Sequence, residues 1–300
     1  MKLLNAVALS TLILGFTSCI DKDDDPEVAR RAEEDNKIAG FLAANGIDAT
    51  KSNSGIYKIQ FVAGNTAIPG GADIIHLDYD IRTFDDVVFY SDTAYILQLQ
   101  NGVYIPEVAG YLTGITESAS MLSQGELAGF IIPSHLMFWS SSGTYNDVAI
   151  APYETIRTRM HLKAIRSSEQ QRAYENDVIL SILEEASLVA ESLPDGLYKV
   201  LLEEGTGTDF PTDNVNVTVD YKGMLTDSTV FDTGTDVSFG LSQVIDGFKE
   251  GIKSMKIDEK AILIIPSHLG YGAVGAIDQS GVASIPSYAT IRFEVTLKSF

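Results

Sequence analysis

The stretch Val244–Gly272, VIDGFKEGIKSMKIDEKAILIIPSHLGYG, combines the pattern of a short helix with that of a buried strand. Phe248, Ile252 and Met255 recur at the spacing of one helix face, and AILIIP is apolar on both sides of a strand. The hexapeptide IIPSHL ends this strand, and the same six residues occur at Ile131–Leu136. After the hexapeptide the two sequences diverge, into GYGAVGA here and MFWSSSG in the earlier copy.

Further paired motifs extend the repeat in both directions. GIYKI, VVFYSD and ETIRTRMHLKAI in the first half correspond to GLYKV, TVFDTG and ATIRFEVTLKSF in the second. Tyr79 of LDYDI and Tyr221 of VDYKG are 142 residues apart, and Gly110 of AGYLTGI and Gly247 of DGFKEGI are 137 apart. The order is constant and the offsets drift slowly, as loop insertions would cause. The sequence therefore predicts two copies of one domain.

Each copy is expected to begin with a helix and to continue as antiparallel strands. The first helix is predicted over residues 26–45, with Asp25 as its cap, and the second over 168–191, where Ser168 and Gln171 have capping-box spacing. Alternating apolar residues in VNVTVDY and IRFEVTL predict half-buried strands. One short helix per copy would pack against them, so the fold class is α+β.

The second copy resembles FKBP-type peptidyl-prolyl cis–trans isomerases through VTVDYKGML, TVFDTG, QVIDGFKEGIKSMKIDEKAILIIP, GYG and IPSYATIRFEVTL. The resemblance implies two tandem FKBP-like domains, each an antiparallel curved sheet wrapped on a short helix. The expected division is a signal peptide at 1–18, an acidic tether and helix at 19–52, a degenerate domain at 53–166, a linker helix at 167–193 and an isomerase domain at 194–300.

The resemblance also implies which residues of the second copy form the substrate pocket. The residues expected to be catalytic are Tyr221, Phe231, Asp232, Tyr271 and Phe293. Those expected to bind the substrate at the floor, rim and flap are Phe248, Val244, Ile245 and Ile285. The Tyr271 hydroxyl and the Ile245 amide would donate to substrate carbonyls, and Asp232 would be a buried-edge carboxylate facing the twisting amide. Val237 stands where the family often has an aromatic residue, so we expect a wider pocket there.

Such a pocket suits the chemistry of prolyl isomerisation. Rotation about an X–Pro bond breaks amide resonance against a barrier of about 18–20 kcal/mol. No bond is made, so the reaction requires no nucleophile, metal or cofactor, and we predict none. A dry apolar pocket with a few fixed donors can bind the twisted amide better than the planar one.

The first copy has lost much of this chemistry. Its counterparts of Asp232, Tyr271, Val244 and Phe293 are, in that order, Tyr90, Phe138, Glu107 and Thr158, whereas Tyr79, Phe89 and Tyr111 keep aromatic rings. We therefore expect the first copy to be inactive or weak, and to serve as a spacer or a protein-binding module.

The amino terminus resembles that of a bacterial lipoprotein. MKLLNAVALSTLILGFTSC has one lysine, an apolar run of signal-peptide length and a closing cysteine, Cys19, in the lipobox-like FTSC. Cys19 is the only cysteine, so an intramolecular disulfide is impossible. The resemblance implies lipidation of Cys19 and a location in the bacterial envelope, at the outer membrane. The acidic run from Asp21 is either a surface-export tag or a solvated spacer.

A net charge of −20 excludes nucleic acid as a partner, because such a surface repels phosphate. The expected partners are proline-containing polypeptides or unfolded envelope proteins, and the membrane through the lipid anchor. The preceding helices resemble segments that can mediate dimerisation in longer bacterial relatives, so the sequence is compatible with a homodimer. The predicted function is an envelope-anchored peptidyl-prolyl isomerase active in its second domain. The alternative is a non-catalytic envelope chaperone or binding lipoprotein that uses both domains.

Overall fold

The structure, a computed structural model, describes residues 26–98, 104–105, 110–111, 113–138, 140–213, 215–277 and 283–300. Cys19 and the predicted signal peptide, tether and Asp25 cap lie outside these residues. Four helices are described: α1 (Pro26–Ala44), α2 (Thr113–Ser120), α3 (Ser168–Glu185) and α4 (Asp246–Lys253). None of the described helices is both long and apolar enough to cross a bilayer.

The strands divide into two groups, one in each unit. The strands of the first unit are β1 (Thr50–Lys51), β2 (Tyr57–Val62), β3 (Ile74–Thr83), β4 (Val88–Gln98), β5 (Tyr104–Ile105), β6 (Gly110–Tyr111), β7 (Leu127–Ile132), β8 (Gly143–Tyr145), β9 (Val148–Ile150) and β10 (Ile156–Arg166). Those of the second unit are β11 (Glu191–Ser192), β12 (Tyr198–Glu203), β13 (Asn216–Leu225), β14 (Val230–Gly240), β15 (Lys260–Ile265), β16 (Ala276–Ile277), β17 (Ala283–Ile285) and β18 (Ile291–Ser299).

The two large sheets have the same topology. The first has the order β1-β2-β7-β10-β3-β4 and the second β11-β12-β15-β18-β13-β14, with antiparallel neighbours throughout. Their registers also agree, because Ile132 faces Ile156 in the first sheet and Ile265 faces Ile291 in the second. The α+β architecture in two tandem copies, predicted from the repeated motifs, is confirmed.

The short helix of each unit packs closely on its sheet because small residues face the strands. A Cβ atom at Gly247 in α4 would lie 2.3 Å from Cγ2 of Ile265, and one at Gly251 would lie 2.3 Å from Cδ1 of Leu263. Only glycine allows the helix backbone to come this near. The helix thereby places Phe248 against the core of the second unit.

The same contact in the first unit corrects one predicted equivalence. A Cβ atom at Gly114 would lie 2.4 Å from Cγ2 of Ile132, so Gly114, and not Gly110, is the counterpart of Gly247. The offset is then 133 residues, the same as that of the hexapeptide. The counterpart of Phe248 is therefore the buried Ile115, and the prediction that Tyr111 keeps this ring is wrong.

The longer helices, α1 and α3, pack on the opposite face of their own sheets. Ile38 and Leu42 of α1 join a small core whose other members are Tyr57, Phe84 and Ile131. The matching core under α3 consists of Ile179, Leu183, Val200 and Ile264. Each helix is thus part of its own unit.

A carboxylate on each helix binds the turn that follows the repeated strand. Glu34 accepts hydrogen bonds from the Ser134 backbone N–H (2.7 Å) and hydroxyl (3.0 Å). Glu175 accepts the same two bonds from Ser267, each at 2.8 Å. These serines belong to the two IIPSHL segments. The hexapeptide is therefore the place where each unit binds its helix, which gives it a structural role in both copies.

The helix ends differ slightly from the predicted ones. The N-cap of α3 is Ser167, which forms a capping box with Gln170, rather than Ser168 with Gln171. The sequence SSEQQ contains both pairs at the same spacing, so the pattern alone could not choose between them. The helix ends at Glu185, before the predicted residue 191.

Candidate active site

Four aromatic rings of the second unit meet around Phe293 on β18. The Phe293 ring centroid lies 4.9 Å from that of Phe248, 5.5 Å from that of Phe231 and 6.1 Å from that of Tyr221. The contacts with Phe248 and Phe231 are edge-to-face, a favourable geometry for aromatic pairs. Phe293 and Phe248 are buried, whereas Tyr221 and Phe231 are half-buried. The predicted wall and floor residues are therefore brought together.

Gly223 on β13 makes room for two of these rings. A Cβ atom at this position would lie 2.6 Å from Cε2 of Phe231 and 2.8 Å from Cε1 of Phe293. Phe293 faces Gly223 directly across the β13–β18 pair. Because no side chain occupies this position, the two rings can lie over the strand backbone.

Tyr221 and Asp232 form a polar pair at the rim of the ring cluster. The Tyr221 hydroxyl donates a 2.9 Å hydrogen bond to Oδ2 of Asp232. Burial, this hydrogen bond and the negative charge of Asp232 raise the pKa of Tyr221 to about 12. The phenol therefore stays protonated and keeps donating to the carboxylate at neutral pH. Asp232 itself is exposed, so the expectation of a buried-edge carboxylate is wrong.

Two donors at the site are left without an internal acceptor. Within the described residues, neither the Tyr271 hydroxyl nor the Ile245 backbone N–H has a hydrogen-bond partner. The Tyr271 ring lies 6.5 Å from the Phe231 ring, centroid to centroid, and burial, followed by the charge of Asp232, raises the pKa of Tyr271. Ile245 is the N-cap of α4. Both donors are thus available to a bound peptide.

The remaining predicted site residues complete the rim. Val244 and Ile245 are half-buried and pack against the core of the second unit. Ile285 is 3% exposed and ends β17, where it pairs with Ala276 of β16. Gly275 has a φ of +66° and a Cβ there would lie 2.2 Å from the Ile285 carbonyl oxygen, so the turn into this hairpin requires glycine.

Phe239 and Gly223 also belong to the site, although neither was predicted from the sequence. The Phe239 ring lies 5.8 Å from that of Phe248, centroid to centroid. Val237 and Phe239 lie two positions apart on β14, so the two-residue period of a strand could have identified Phe239 from Val237. No sequence pattern distinguishes Gly223 from other strand glycines.

In the first unit the equivalent hollow is filled from a neighbouring strand. Thr158, at the register position of Phe293, is buried, and its hydroxyl donates to the Asp80 carbonyl at 2.5 Å. Ile81 faces Thr158 across the strand pair, just as Gly223 faces Phe293 in the second unit. The buried Ile81 side chain therefore takes volume that the Phe293 ring has in the second unit.

An added ring covers the rest of this region in the first unit. Tyr145, from the β8–β9 hairpin, stacks on Phe138 with centroids 5.4 Å apart and lies 6.1 Å from Phe89. Phe138 is only 7% exposed and has no hydroxyl to offer. The side chains of Glu107 and Tyr111 lie outside the described part of the chain.

Comparison with known proteins agrees with this geometry. The family described as FKBP-type peptidyl-prolyl cis-trans isomerase matches residues 207–298. FK506-binding protein 1A of Aspergillus fumigatus is 39% identical over 108 residues, which are 34% of this chain and 92% of that protein. FK506-binding protein 1 of Dictyostelium discoideum is 42% identical over 111 residues, or 35% of this chain and 98% of that protein. The isomerase FkpA of Escherichia coli is 40% identical over 106 residues, 34% of this chain and 37% of that protein.

The fold is that of a prolyl isomerase domain. The chain belongs to the FKBP-type peptidyl-prolyl cis–trans isomerase family, as its motifs predicted, and it is an enzyme of that type. No group of three or more metal-ligating side chains is placed to hold a metal ion within the described residues.

Proposed function

We propose that the isomerase activity is located in the second unit, at the ring cluster around Phe293. The supporting observation is the convergence of four aromatic rings beside the unpaired donors of Tyr271 and Ile245. Among the described residues of the first unit there is no equivalent cluster, because Ile81 and Tyr145 occupy the corresponding region. The substrate would be a proline-containing polypeptide in an extended or unfolded segment.

The chemistry follows from the change in the amide as it twists. The twisted X–Pro bond loses double-bond character, so its carbonyl has less charge separation and is better tolerated in an apolar site. The proline ring would lie against Phe293 and Phe248, and the Tyr271 hydroxyl and Ile245 amide would fix the flanking carbonyls. Interactions that are stronger in the twisted state lower the barrier, each ~1.4 kcal/mol giving tenfold in rate.

Replacing Phe293 tests this location. The substitution Phe293→Thr in the full chain copies the residue of the first unit and removes three ring contacts. We expect kcat/KM for a prolyl peptide to fall about a hundredfold, as when a ~2.7 kcal/mol preference for the twisted state is lost. Phe293→Leu, which keeps an apolar side chain, serves as the control for folding. Undiminished activity in the threonine variant would exclude this pocket as the catalyst.

We also propose that the protein is attached to the bacterial envelope through lipidation of Cys19, with unfolded envelope proteins as clients. The support is the FTSC motif after an apolar run. Several acyl chains give stable membrane attachment, whereas one gives marginal binding. The variant Cys19→Ala should appear in the soluble fraction after cell disruption. If it partitions with membranes like the wild type, the lipobox interpretation is wrong.

The alternative of a non-catalytic chaperone rests on the first unit. Its scaffold is retained although its pocket is filled, which favours a role in binding or spacing over catalysis. Aggregation suppression by the first unit alone would support a binding role there. It would not account for isomerase activity in the second.

A further inference from the structure

The carboxylate of Glu175 on α3 is almost completely buried, at 3% exposure. It accepts three hydrogen bonds: from the Ser267 backbone N–H (2.8 Å), from the Ser267 hydroxyl (2.8 Å) and from the Gln171 amide (2.9 Å). A buried carboxylate is costly unless such bonds satisfy it, and bonds to an ionised group are stronger than neutral ones. Glu175 therefore fixes Ser267 firmly to the helix.

The carbonyl of the same serine anchors the loop that contains Tyr271. The Ser267 carbonyl accepts hydrogen bonds from the backbone N–H groups of Gly270 and Gly272, each at 2.9 Å. These two glycines flank Tyr271 directly. The Gly272 carbonyl in turn accepts a 2.8 Å bond from the Tyr288 N–H, which closes the loop. Any displacement of Ser267 would therefore move the backbone on both sides of Tyr271.

We propose that Glu175 is a positioning residue for catalysis, which acts through Ser267 to aim the Tyr271 hydroxyl at the substrate carbonyl. This inference rests on the proposed role of the second unit and extends it to the helix outside the isomerase sheet. An error of about 1 Å in such a group can lower the rate by a large factor. The helix α3 is then part of the functional unit.

The first unit contains a matched contact without a catalytic hydroxyl. Glu34 binds Ser134 through its N–H and hydroxyl, and also accepts a 2.6 Å bond from the Thr155 hydroxyl. The residue in the position of Tyr271 is Phe138, which has no hydroxyl to aim. Removing Glu34 thus disturbs the same kind of helix contact while leaving the proposed site untouched.

The test compares Glu175→Ala with Glu34→Ala in the full chain. We expect kcat/KM for a prolyl peptide to fall about tenfold in the first variant and to remain within twofold of wild type in the second. Circular dichroism should show that both variants stay folded. Glu175→Gln, which keeps one acceptor oxygen for Ser267, should recover part of the activity. Equal activity of the two alanine variants would overturn the proposal.

Two further measurements separate positioning from a loss of stability. Hydrogen exchange at the Gly270 and Gly272 amides should accelerate in Glu175→Ala and not in Glu34→Ala. In a double-mutant cycle, Glu175→Ala should cost less than threefold once Tyr271→Phe is present, because the group it aims is gone. If the effects of Glu175→Ala and Tyr271→Phe on activity are fully additive, Glu175 does not act through Tyr271. If Phe293→Thr leaves activity intact, the proposed site is wrong. If Phe293→Thr loses activity but Glu175→Ala is as active as Glu34→Ala, the proposed site stands and only the positioning role of Glu175 is wrong.

Discussion

Phe293 and Thr158 occupy the same register position in the two sheets and face residues of opposite size. Phe293 faces Gly223, and Thr158 faces Ile81. The larger side chain of each facing pair is therefore on β18 in the second unit and on β3 in the first, and each core stays packed. In the second unit the large group is a ring at a half-open site, whereas in the first it is a fully buried aliphatic chain. This exchange explains how one scaffold can retain its core and lose its pocket.

The raised pKa of Tyr221 predicts how the stability of the protein depends on pH. Its pKa is raised to about 12, from an ordinary value of about 10, chiefly by burial and then by the bond to Asp232. Because the folded-state pKa is the higher one, the resulting stability is complete below pH 10 and is lost as the pH rises from 10 to 12. The stability of wild type, measured by urea unfolding, should therefore fall more steeply above pH 10 than that of Tyr221→Phe. Parallel pH profiles would show that the pKa is not raised.

The residues of the predicted pocket could be named from the sequence because they lie in motifs of fixed spacing. On their strands, Phe231 and Phe293 are each less exposed than the residues on either side, as expected for side chains that face the core. The exposure of Asp232 could not be predicted, since it depends on β14 being the edge strand of the sheet. The space that Gly223 provides is likewise a property of three adjacent strands.

The helix α4 sets the floor of the site through its distance from the sheet. Gly247 and Gly251 face Ile265 and Leu263, and Phe248 lies on the same helix between them. In the first unit the corresponding positions are Gly114 and the buried Ser118. Small residues on the sheet-facing side are therefore a common requirement of both units.

Two glycine-to-alanine substitutions in helices should have opposite effects. Gly251→Ala places a Cβ atom 2.3 Å from Leu263 and should destabilise the protein by about 1–3 kcal/mol, as overpacking does. It should also lower kcat/KM, because α4 carries Phe248. Gly40→Ala on α1 meets no atom within 4 Å and should stabilise by about 0.5–1 kcal/mol through helix propensity. Urea unfolding and a prolyl peptide assay measure both effects, and a stabilising Gly251→Ala would contradict the close packing.

Sequence patterns were not sufficient to pair the helices of the two units or to dock them on their sheets. The motifs AGYLTGI and DGFKEGI each contain two glycines four residues apart, so the sequence alone permits two pairings, and the predicted one was wrong. The contact of Gly114 with Ile132 fixes the correct pair, and that contact is tertiary. The docking of α1 and α3 through Glu34 and Glu175 was missed for the same reason, since each bond joins residues about a hundred positions apart.

Each unit has its own large sheet, two helices and core. The buried clusters of the first unit contain no residue of the second, and the reverse also holds for the described residues. The main connection is β10 running directly into α3, where the Arg166 guanidinium lies 3.8 Å from the Tyr174 ring centroid. Because the two cores share no residue, we expect each unit to fold alone.

When the two units are separated, isomerase activity should be found in the second unit alone. We predict that fragments 26–166 and 165–300 each unfold cooperatively, and that only the second accelerates cis–trans exchange, with a kcat/KM within about twofold of the full chain. Because the second fragment begins at residue 165, it keeps both the Ser167 cap and the Arg166 contact.

The physical reason is that every ring and donor of the proposed site comes from the second unit, whereas Ile81 and Tyr145 occlude the first. Phe293→Thr in the second fragment serves as the inactive control. Isomerase activity in fragment 26–166 would show that its filled pocket opens. Activity that requires both fragments to be joined would instead place part of the site between the units.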